Sequence, residues 1–588
     1  MRWSLKELYE SFEDVAFVSD MKLLDEKIVQ FGEWVNHSVK EGNDPAEIIL
    51  TFIRHSEEIT ASLSKLSQFA SLMSATDARN EVALDYLNKL NVKSTALTQP
   101  SVVFQTYLKS LDSLDNIIES SSPLKEYAFY LEQIKLRSKY MLSEKEEVAI
   151  SKLTTTGSTA WSNLQNKLSS TLMIDVLLDG EKKSLPLPAV RNLAYSEDKS
   201  ERLAGYQAEM DAYKKIEESS AAALNGIKGE VVTLCEMRGF ESPLEETLIK
   251  SRLDKETLDA MLSAMREYLP AFRKYLRRKA ELLGHRKGLP FYDLFAPMGE
   301  VNMTYTYPEA MDFIITQFRT FSDKLADFTQ HAYDNAWLDI EPREGKRGGA
   351  FCANLHSIKE SRILSNFSGS FSNMTTLAHE LGHAYHGANL VDESILNSRY
   401  PMPIAETASI FCETIVVNAA LSNASKEEQL AILESSISDS TQVIVDIYSR
   451  FLFESALFDE RKDSVVSVAK LKELMLKAQK EAYGDGLDPD FLHPYMWINK
   501  PHYYSAGLNF YNFPYAFGLL FSKGLYAQYL KDGDAFVAKY DTLLNATGKE
   551  LIADVAMRMN VDVHDPDFFR SSLALIEKDI EKFIELSK

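Results

Sequence analysis

Residues 376–385 of the chain read Thr-Leu-Ala-His-Glu-Leu-Gly-His-Ala-Tyr. His379 and His383 are four positions apart, so on a helix both imidazoles lie on one face and can bind a single ion. Glu380 points slightly around that helix, where a general base for a metal-bound water belongs. The uncharged neighbours predict a buried helix, and buried histidines beside a buried glutamate need a shared partner. The stretch therefore predicts a zinc-binding helix.

A third metal ligand is expected from elsewhere in the chain, because catalytic zinc sites use three protein ligands and keep a fourth position open. The metzincin spacing is excluded, since it would require a histidine where the chain has Asn389. Downstream, Glu406 and Glu413 lie seven positions apart in an apolar segment, so both occupy one face of a helix. We predict that Glu406 is the third ligand and that Glu413 orients a ligand histidine.

Taken together, these motifs resemble the M3 family of zinc metallopeptidases, and specifically its oligoendopeptidase F branch. The resemblance begins with His-Glu-Leu-Gly-His at residues 379–383, followed by Glu-Thr-Ala-Ser-Ile-Phe-Cys-Glu at 406–413. Two further segments are similar to that branch, residues 348–370 and residues 502–518. The motifs follow the family's order, and the chain length and helical N-terminal half also fit.

The resemblance implies roles for the aromatic block. A histidine followed by tyrosines stabilises the oxyanion in this family, which needs hydrogen-bond donors at the developing charge. His502 is the matching histidine, with Tyr515 as the first candidate tyrosine and Tyr511 as the second. Tyr504 is expected to line the substrate cleft. The resemblance also implies oligopeptide substrates and a deep channel between helical lobes.

A short β-sheet is predicted between residues 349 and 370, where alternating and β-branched residues precede the zinc-binding helix. An exposed edge strand can pair with an extended peptide through main-chain hydrogen bonds. Gly349 and Ala350 are therefore candidate substrate-binding residues. The alternative is an ordinary structural strand.

The remaining sequence indicates long helices. Asp44-Pro45, Ser122-Pro123 and the Ser143–Glu146 capping box mark helix starts. Residues 173–187 predict a hairpin turning at Asp179-Gly180. We predict a helical lobe over residues 1–187 ending in this hairpin, and a catalytic metallopeptidase domain over residues 188–588. The expected fold is mainly α, a large multi-helix zincin-type metallopeptidase with a small β-sheet beside the active-site helix and a deep interlobe channel.

Composition restricts the partners. The formal charge of −22 and pI of about 5.1 argue against nucleic acid and anionic membranes, which require clustered cations. Only three cysteines occur in 588 residues, which predicts a reducing compartment without a disulfide framework. The sequence shows no signal-peptide pattern or transmembrane span, so a cytoplasmic location is expected. The oligomeric state is not predicted.

The sequence thus predicts a zinc-dependent endopeptidase that cuts internal bonds of oligopeptides, with one zinc ion per chain. A zinc-bound water is the expected nucleophile and Glu380 the general base. One alternative is a dipeptidyl- or carboxypeptidase, marked by a basic group for the substrate's terminal carboxylate. Another is a non-catalytic zinc-bearing helical binding protein, although such a site has no need of Glu380. A metal-free helical scaffold and a cobalt or manganese site also remain open.

Overall fold

The computed structural model describes residues 1–41, 44–299 and 303–588, which are mostly helical. The helices before the first strand are α1 (Val15–Glu41), α2 (Pro45–Thr76), α3 (Glu81–Thr95), α4 (Thr98–Ser110), α5 (Leu114–Ser120), α6 (Ser122–Lys125), α7 (Ala128–Ser138), α8 (Glu144–Thr156) and α9 (Ser158–Ser170). The predicted helix starts are confirmed. Asp44 caps α2, Ser122 opens α6, and Ser143 forms the capping box of α8 with Glu146.

A hairpin follows α9. Strands β1 (Met173–Leu178) and β2 (Glu181–Pro186) are antiparallel, and Asp179 and Gly180 both have positive φ at the turn. This two-residue turn matches the right-handed twist of the strands. The predicted hairpin is confirmed, although Leu187 already belongs to the next helix. The division of the chain at residue 187 stays a prediction.

The rest of the chain is again mostly helical. The helices between the hairpin and the sheet are α10 (Leu187–Asn192), α11 (Lys199–Tyr213), α12 (Glu217–Arg238), α13 (Pro243–Lys250), α14 (Lys255–Leu282), α15 (Tyr307–Phe321) and α16 (Asp323–Asp334). Those after the sheet are α17 (Phe371–Ala388), α18 (Thr407–Asn423), α19 (Lys426–Thr441), α20 (Ile447–Asp463), α21 (Val468–Tyr483), α22 (Phe513–Asp532), α23 (Asp534–Ala546), α24 (Ile552–Met557) and α25 (Pro566–Leu586). A π-helical turn, Gln442–Asp446, joins α19 to α20.

The predicted small sheet lies beside the histidine-bearing helix. It contains β3 (Leu338–Asp339), β4 (Phe351–Leu355) and β5 (Glu360–Leu364) in the order β3-β5-β4. β5 is parallel to β3 and antiparallel to β4, so β4 lies at the edge. Both β4 and β5 contact α17. The prediction of a mainly helical fold with a sheet beside the helix of residues 376–385 is confirmed.

The described residues form three hydrophobic cores, two of which include residues of this sheet. The largest core contains α14, α17, α18, α22 and α25, together with Ile363 of β5. A second core is formed by residues 8–134 and includes Leu355 of β4. The third combines residues 172–227 with residues 453–504. The strand β4 and the helix α17 are therefore held by different cores, and the surface between them lies at their boundary.

The segment Met402–Asn423 has the length and composition of a membrane span, but 56% of its most apolar window is buried inside the protein. It consists of a 3₁₀ turn and α18, which packs between α17 and α22. Burial against other helices explains its apolar sequence, because a core helix is hydrophobic on all sides.

The α17–α18 contact depends on Gly382. A Cβ at this position would lie 2.5 Å from the Ala408 carbonyl oxygen and 2.6 Å from Ser409 Cα. Both atoms belong to the backbone of α18, so neither can move aside like a flexible side chain. Glycine therefore allows the two helices to approach closely at the middle of the metal motif.

Gly382→Ala is expected to lower the free energy of unfolding by about 1–3 kcal/mol, because the added methyl group overpacks a backbone contact. Urea titration with excess EDTA measures this change without a contribution from metal binding. Gly32→Ala is the matched control, since Gly32 lies within α1 and its Cβ would meet nothing within 4 Å. That substitution should instead stabilise the protein by about 0.5–1 kcal/mol. Equal effects at the two positions would contradict the close packing.

Candidate metal centre and active site

Helix α17 positions the motif residues. Ser370 caps its N-terminus by accepting a hydrogen bond from the Asn373 N–H. Leu377, Ala378 and Leu381 face the largest core, so the opposite side of the helix faces the boundary between cores. His379 and His383 lie on that side, with ring centroids 4.9 Å apart. The helix therefore presents both imidazoles to the same space, as their spacing predicts.

Glu406 reaches the same space from the start of α18. Its Oε2 atom lies 3.2 Å from His379 Nε2 and 3.3 Å from His383 Nε2. The Ser409 hydroxyl donates a 2.7 Å hydrogen bond to Oε2 of Glu406, which fixes the carboxylate. The ligand atoms of the three residues all lie within 4.8 Å of one another. The structure thus brings together the three predicted metal ligands.

This donor set fits a divalent metal ion. In a tetrahedral zinc site, zinc–nitrogen bonds of about 2.0–2.1 Å place neighbouring ligand atoms about 3.3–3.4 Å apart. The two observed nitrogen–oxygen separations, 3.2 and 3.3 Å, match this spacing. Burial raises the pKa of Glu406, but hydrogen bonds to His379 and His383 outweigh it and hold the pKa well below its usual range. The carboxylate is therefore ionised and can bind a cation.

Glu413 holds the other side of His379. Its Oε2 atom lies 3.0 Å from His379 Nδ1, leaving Nε2 directed at Glu406. Burial lowers the pKa of His379, but the contacts with Glu406 and Glu413 outweigh it and raise the value to about 10. The two carboxylates thus favour positive charge at this point. A carboxylate on the far nitrogen of a ligand histidine fixes both its orientation and its tautomer.

Two cavities open beside His379 and Glu413. Their volumes are about 320 and 220 Å³, and Asp439 of α19 lines both. Burial raises the pKa of Asp439 to about 6, and the negative charges of Glu413 and Glu434 add to the effect. The negative potential here extends from the candidate metal ligands to α19.

Glu380 is 7% exposed and faces β4. The backbone N–H of Cys352 donates a hydrogen bond to its carboxylate. Burial raises the pKa of Glu380, while His383 and His379 act in the opposite direction, and the net shift is upward. A carboxylate with a raised pKa is better matched to proton transfer near neutral pH than an exposed one. The Cys352 N–H points away from β5. The edge of β4 that does not pair with β5 therefore faces α17, and we call it the free edge.

The predicted aromatic block forms one wall. His502 lies in the 3₁₀ turn Pro501–Tyr504, while Tyr511 precedes α22 and Tyr515 lies in its first turn. The ring of His502 is 5.1 Å from that of Tyr511 and 6.5 Å from that of Tyr515, measured between centroids. The structure brings these three residues together.

Tyr515 lies on the side of α22 that faces the metal ligands. Burial raises its pKa, as do the charges of Tyr511 and Glu406. One turn further along α22, a Cβ on Gly518 would lie 3.1 Å from Glu406 Cβ. Tyr511 has no comparable link to a metal ligand in the described part of the chain.

Buried charges support this wall from behind. Lys228 of α12 forms a 2.8 Å ion pair with Glu454 of α20 and donates a 2.9 Å hydrogen bond to Asn509. Glu454 also accepts a hydrogen bond from Asn512, whose side chain caps α22. The loop that carries Tyr511 is thereby fixed to two helices.

The family comparisons agree with this geometry. Residues 192–575 match the model of peptidase family M3, and residues 110–173 match the model described as Oligopeptidase F.

The chain belongs to peptidase family M3.

Among its relatives, this M3 peptidase is 23% identical to Oligopeptidase PepF of Bacillus subtilis, covering 99% of the chain and 87% of that protein. It is also 23% identical to the chromosomal Oligoendopeptidase F of Lactococcus lactis subsp. cremoris, covering 92% and 91%. Two solved structures share the fold. A Chlamydophila abortus protein described as a peptidase has a TM-score of 0.84 at 22% identity, covering 100% of this chain and 98% of its own. Oligoendopeptidase-F from Enterococcus faecium has a TM-score of 0.71 at 18% identity, covering 96% and 99%.

Two other predicted residues of the M3 chain precede the edge strand. Gly349 adopts a positive φ of 78° and its Cα faces open space, while its carbonyl accepts a hydrogen bond from the Asn366 side chain. Ala350 follows it and leads directly into β4. Ala350 is two positions before Cys352, so its backbone groups point to the same free edge.

The structure does not bring Tyr504 to this surface. The side chain is 2% exposed and packs in the third core, away from the cleft that was predicted for it. Its backbone carbonyl accepts a hydrogen bond from the Ser162 hydroxyl. Within the 3₁₀ turn His502 is partly exposed, whereas Tyr503 and Tyr504 are both buried. The closeness of Tyr504 to His502 in the sequence does not show which way the Tyr504 side chain points.

Several contacts of this M3 site are not predicted by the sequence motifs. Ser409 follows Glu406 by three positions, the spacing of neighbours on a helix, and could have been found from it. The Cys352 N–H is a backbone group and leaves no signal in residue type. Lys228, Asp439 and Glu454 come from distant segments, and only the fold shows that they belong to the site.

Glu413→Gln is expected to weaken zinc(II) binding about 10- to 100-fold, because an amide holds the His379 ring less firmly than a carboxylate does. Competition with a chromophoric chelator measures the dissociation constant. Glu427→Gln is the control, since Glu427 is an exposed residue of the first turn of α19. Equal affinities of the two variants would show that Glu413 does not support the metal ligand.

Proposed function

We propose that this M3 peptidase is a zinc-dependent endopeptidase that hydrolyses internal bonds of oligopeptides. The observation that carries the proposal is the convergence of His379, His383 and Glu406, with Glu380 beside them on the same helix. The similarity over nearly the whole chain to Oligopeptidase PepF and to Oligoendopeptidase F supports the substrate class. A ligand-only site has no need of Glu380, which disfavours a non-catalytic zinc protein.

We assign one zinc ion per chain to His379 Nε2, His383 Nε2 and Glu406 Oε2. When bound, zinc supplies a Lewis acid for the peptide carbonyl and acidifies water. Two imidazoles and one carboxylate are a common ligand set for zinc, and the negative charge of the carboxylate offsets part of the charge of the zinc ion. Glu413 holds the proton on His379 Nδ1, so that Nε2 is free to bind the metal ion.

The proton transfers are assigned to Glu380. Its carboxylate takes a proton from the attacking water and later delivers it to the leaving amine. Burial raises the pKa of Glu380, and a more basic carboxylate accepts the proton of the attacking water more readily. The Cys352 N–H holds the carboxylate in place between the helix and the edge strand.

The oxyanion donors are His502 and Tyr515. Burial lowers the pKa of His502, and Arg450 and Lys500 add to the effect, so the ring is neutral and one nitrogen carries a proton to donate. We prefer Tyr515 to Tyr511 because its helix packs against Glu406. Each well-placed donor contributes about 10²–10³ in rate.

The peptide is expected to add to the free edge of β4. Ala350 and the carbonyl of Cys352 present backbone groups to that side, and Gly349 leaves open space above it. The Cys352 N–H is occupied by Glu380, and the Asn354 carbonyl accepts a hydrogen bond from Gln68. Main-chain pairing would bind many sequences with similar affinity. Recognition through the backbone suits an enzyme that acts on varied oligopeptides.

Other features of the chain fit a cytoplasmic peptide-degrading role, which we include in the proposal. Cys235, Cys352 and Cys412 are all free thiols. The net charge of −22 disfavours nucleic acid and anionic membranes as partners. We also retain the division into a helical lobe, residues 1–187, and a catalytic domain, residues 188–588, as part of this proposal.

Mass spectrometry of a mixed oligopeptide pool incubated with zinc-loaded protein tests the function. Internal cuts are expected from the wild type, and Glu380→Gln should lower kcat about 10²–10⁴-fold, because it removes the proton acceptor. Zinc content of both proteins, measured by atomic emission, should be one ion per chain. Cuts confined to chain ends would indicate an exopeptidase. Full zinc loading without any cleavage would overturn the proposed activity.

A further inference from the structure

A separate cavity of about 240 Å³ lies behind the segment that carries His502. Helices α10 and α11 form one side, and residues 493–500 form another. We call it the Lys500 cavity. Its polar lining includes Arg191, Arg202, Glu209, His493, Asn499 and Lys500.

The Lys500 cavity lies near the candidate oxyanion histidine, His502. Gln442 lines the cavity and lies one turn beyond Asp439, which lines both cavities beside His379. Lys500 is two positions before His502, and its charge lowers the pKa of that histidine. A peptide bound at the metal helix could therefore extend one residue or chain end towards this space.

The charged groups around the cavity are paired, with one exception. Arg202 is 2.7 Å from Asp293, and Arg450 of the neighbouring helix is 2.7 Å from Asp446. Arg191 Nε lies 3.6 Å from Glu209. Within the described part of the chain, no carboxylate oxygen lies within 4.0 Å of Lys500 Nζ.

Lys500 is therefore a cation without a matching anion. Burial lowers its pKa to about 8, and Arg450 and Arg191 act in the same direction, against Asp446 and Glu209. Lys500 is partly buried, and a lysine charge that is partly withdrawn from water without a partner gains from binding a ligand anion. The remaining lining is largely apolar and aromatic, including Val190, Phe291, Tyr292, Phe295 and Met496.

We propose that the Lys500 cavity binds a carboxylate of the peptide substrate, with Lys500 as the pairing cation and Arg191 at the rim. The inference rests on the proposed peptidase activity and adds a determinant of specificity to it. An oligopeptide offers this group in two forms, its C-terminus and the side chains of Asp and Glu. The apolar wall would contact the aliphatic atoms next to the carboxylate.

The test uses three versions of one cleavable peptide. The parent contains a single glutamate and a free C-terminus, the second is amidated at the C-terminus, and the third has glutamine in place of glutamate. Values of kcat/KM are measured with zinc-loaded wild type, Lys500→Met and Lys477→Met. Lys477 is an exposed residue of α21 and provides the control for loss of a lysine charge.

For the wild type and Lys477→Met, the value of kcat/KM should be about tenfold lower for one of the two neutralised peptides, the amidated or the glutamine version, than for the parent. The reason is that a charge-assisted contact is lost. Loss with the amide identifies the C-terminus as the ligand, and loss with glutamine identifies the side chain. Lys500→Met should reduce this discrimination to near unity. Lys500→Arg should keep most of it, which provides a second folded variant.

Equal cleavage of all three peptides by the wild type overturns the proposal, without any dependence on how the variants fold. Discrimination that persists in correctly folded Lys500→Met also overturns it. A failure of the peptidase activity itself is recognised differently, as no cleavage of any peptide by the wild type, and would overturn both inferences. Binding of the same peptides to zinc-loaded Glu380→Gln, measured by calorimetry, should show the same order of affinities.

Discussion

The contact between α17 and α18 at Gly382 is the constraint on which the site depends. The candidate metal site takes two histidines from one helix, but its third proposed ligand, Glu406, comes from the start of another. Only a glycine at the crossing lets the backbones approach closely enough for Glu406 to stand 3.2–3.3 Å from both imidazoles. The same approach places Glu413, two turns further along α18, behind His379. The close contact between α17 and α18 therefore determines both which residues can meet at the candidate metal site and how His379 is oriented.

The other walls of the site are held by electrostatic contacts between distant segments. The edge strand contributes the Cys352 N–H to Glu380, and α22 presents Tyr515 towards Glu406. Behind the aromatic wall, Asp446 ends the π-helical turn, and Arg450 and Glu454 of α20 follow it at intervals of four residues, on one face of the helix. Asp446 pairs with Arg450 and Glu454 pairs with Lys228, whereas Lys500 has no carboxylate within 4.0 Å among the described residues.

Much of the fold and the metal site could be predicted from the sequence, because short-range spacing encodes them. A separation of four places His379 and His383 on one face, and Asp179-Gly180 defines a hairpin turn. The direction of side chains outside regular helices could not be predicted in this way. Tyr504 was predicted to line the cleft because it lies close to His502 in the sequence, yet its side chain is buried. Lys228 contacts Glu454 and Asn509, which lie hundreds of residues away in the chain, and the lining of the Lys500 cavity also comes from distant segments. No local sequence pattern records such contacts.

Zinc K-edge X-ray absorption of the zinc-loaded protein, compared with His383→Ala and Glu406→Gln, tests the central claim most directly. The account predicts one zinc ion with two imidazole ligands and oxygen donors at about 2.0–2.2 Å in the wild type. The spectrum of His383→Ala should lose one imidazole contribution. A sulfur-rich first shell, or spectra unchanged in both variants, would contradict the assignment of His379, His383 and Glu406 as the metal ligands.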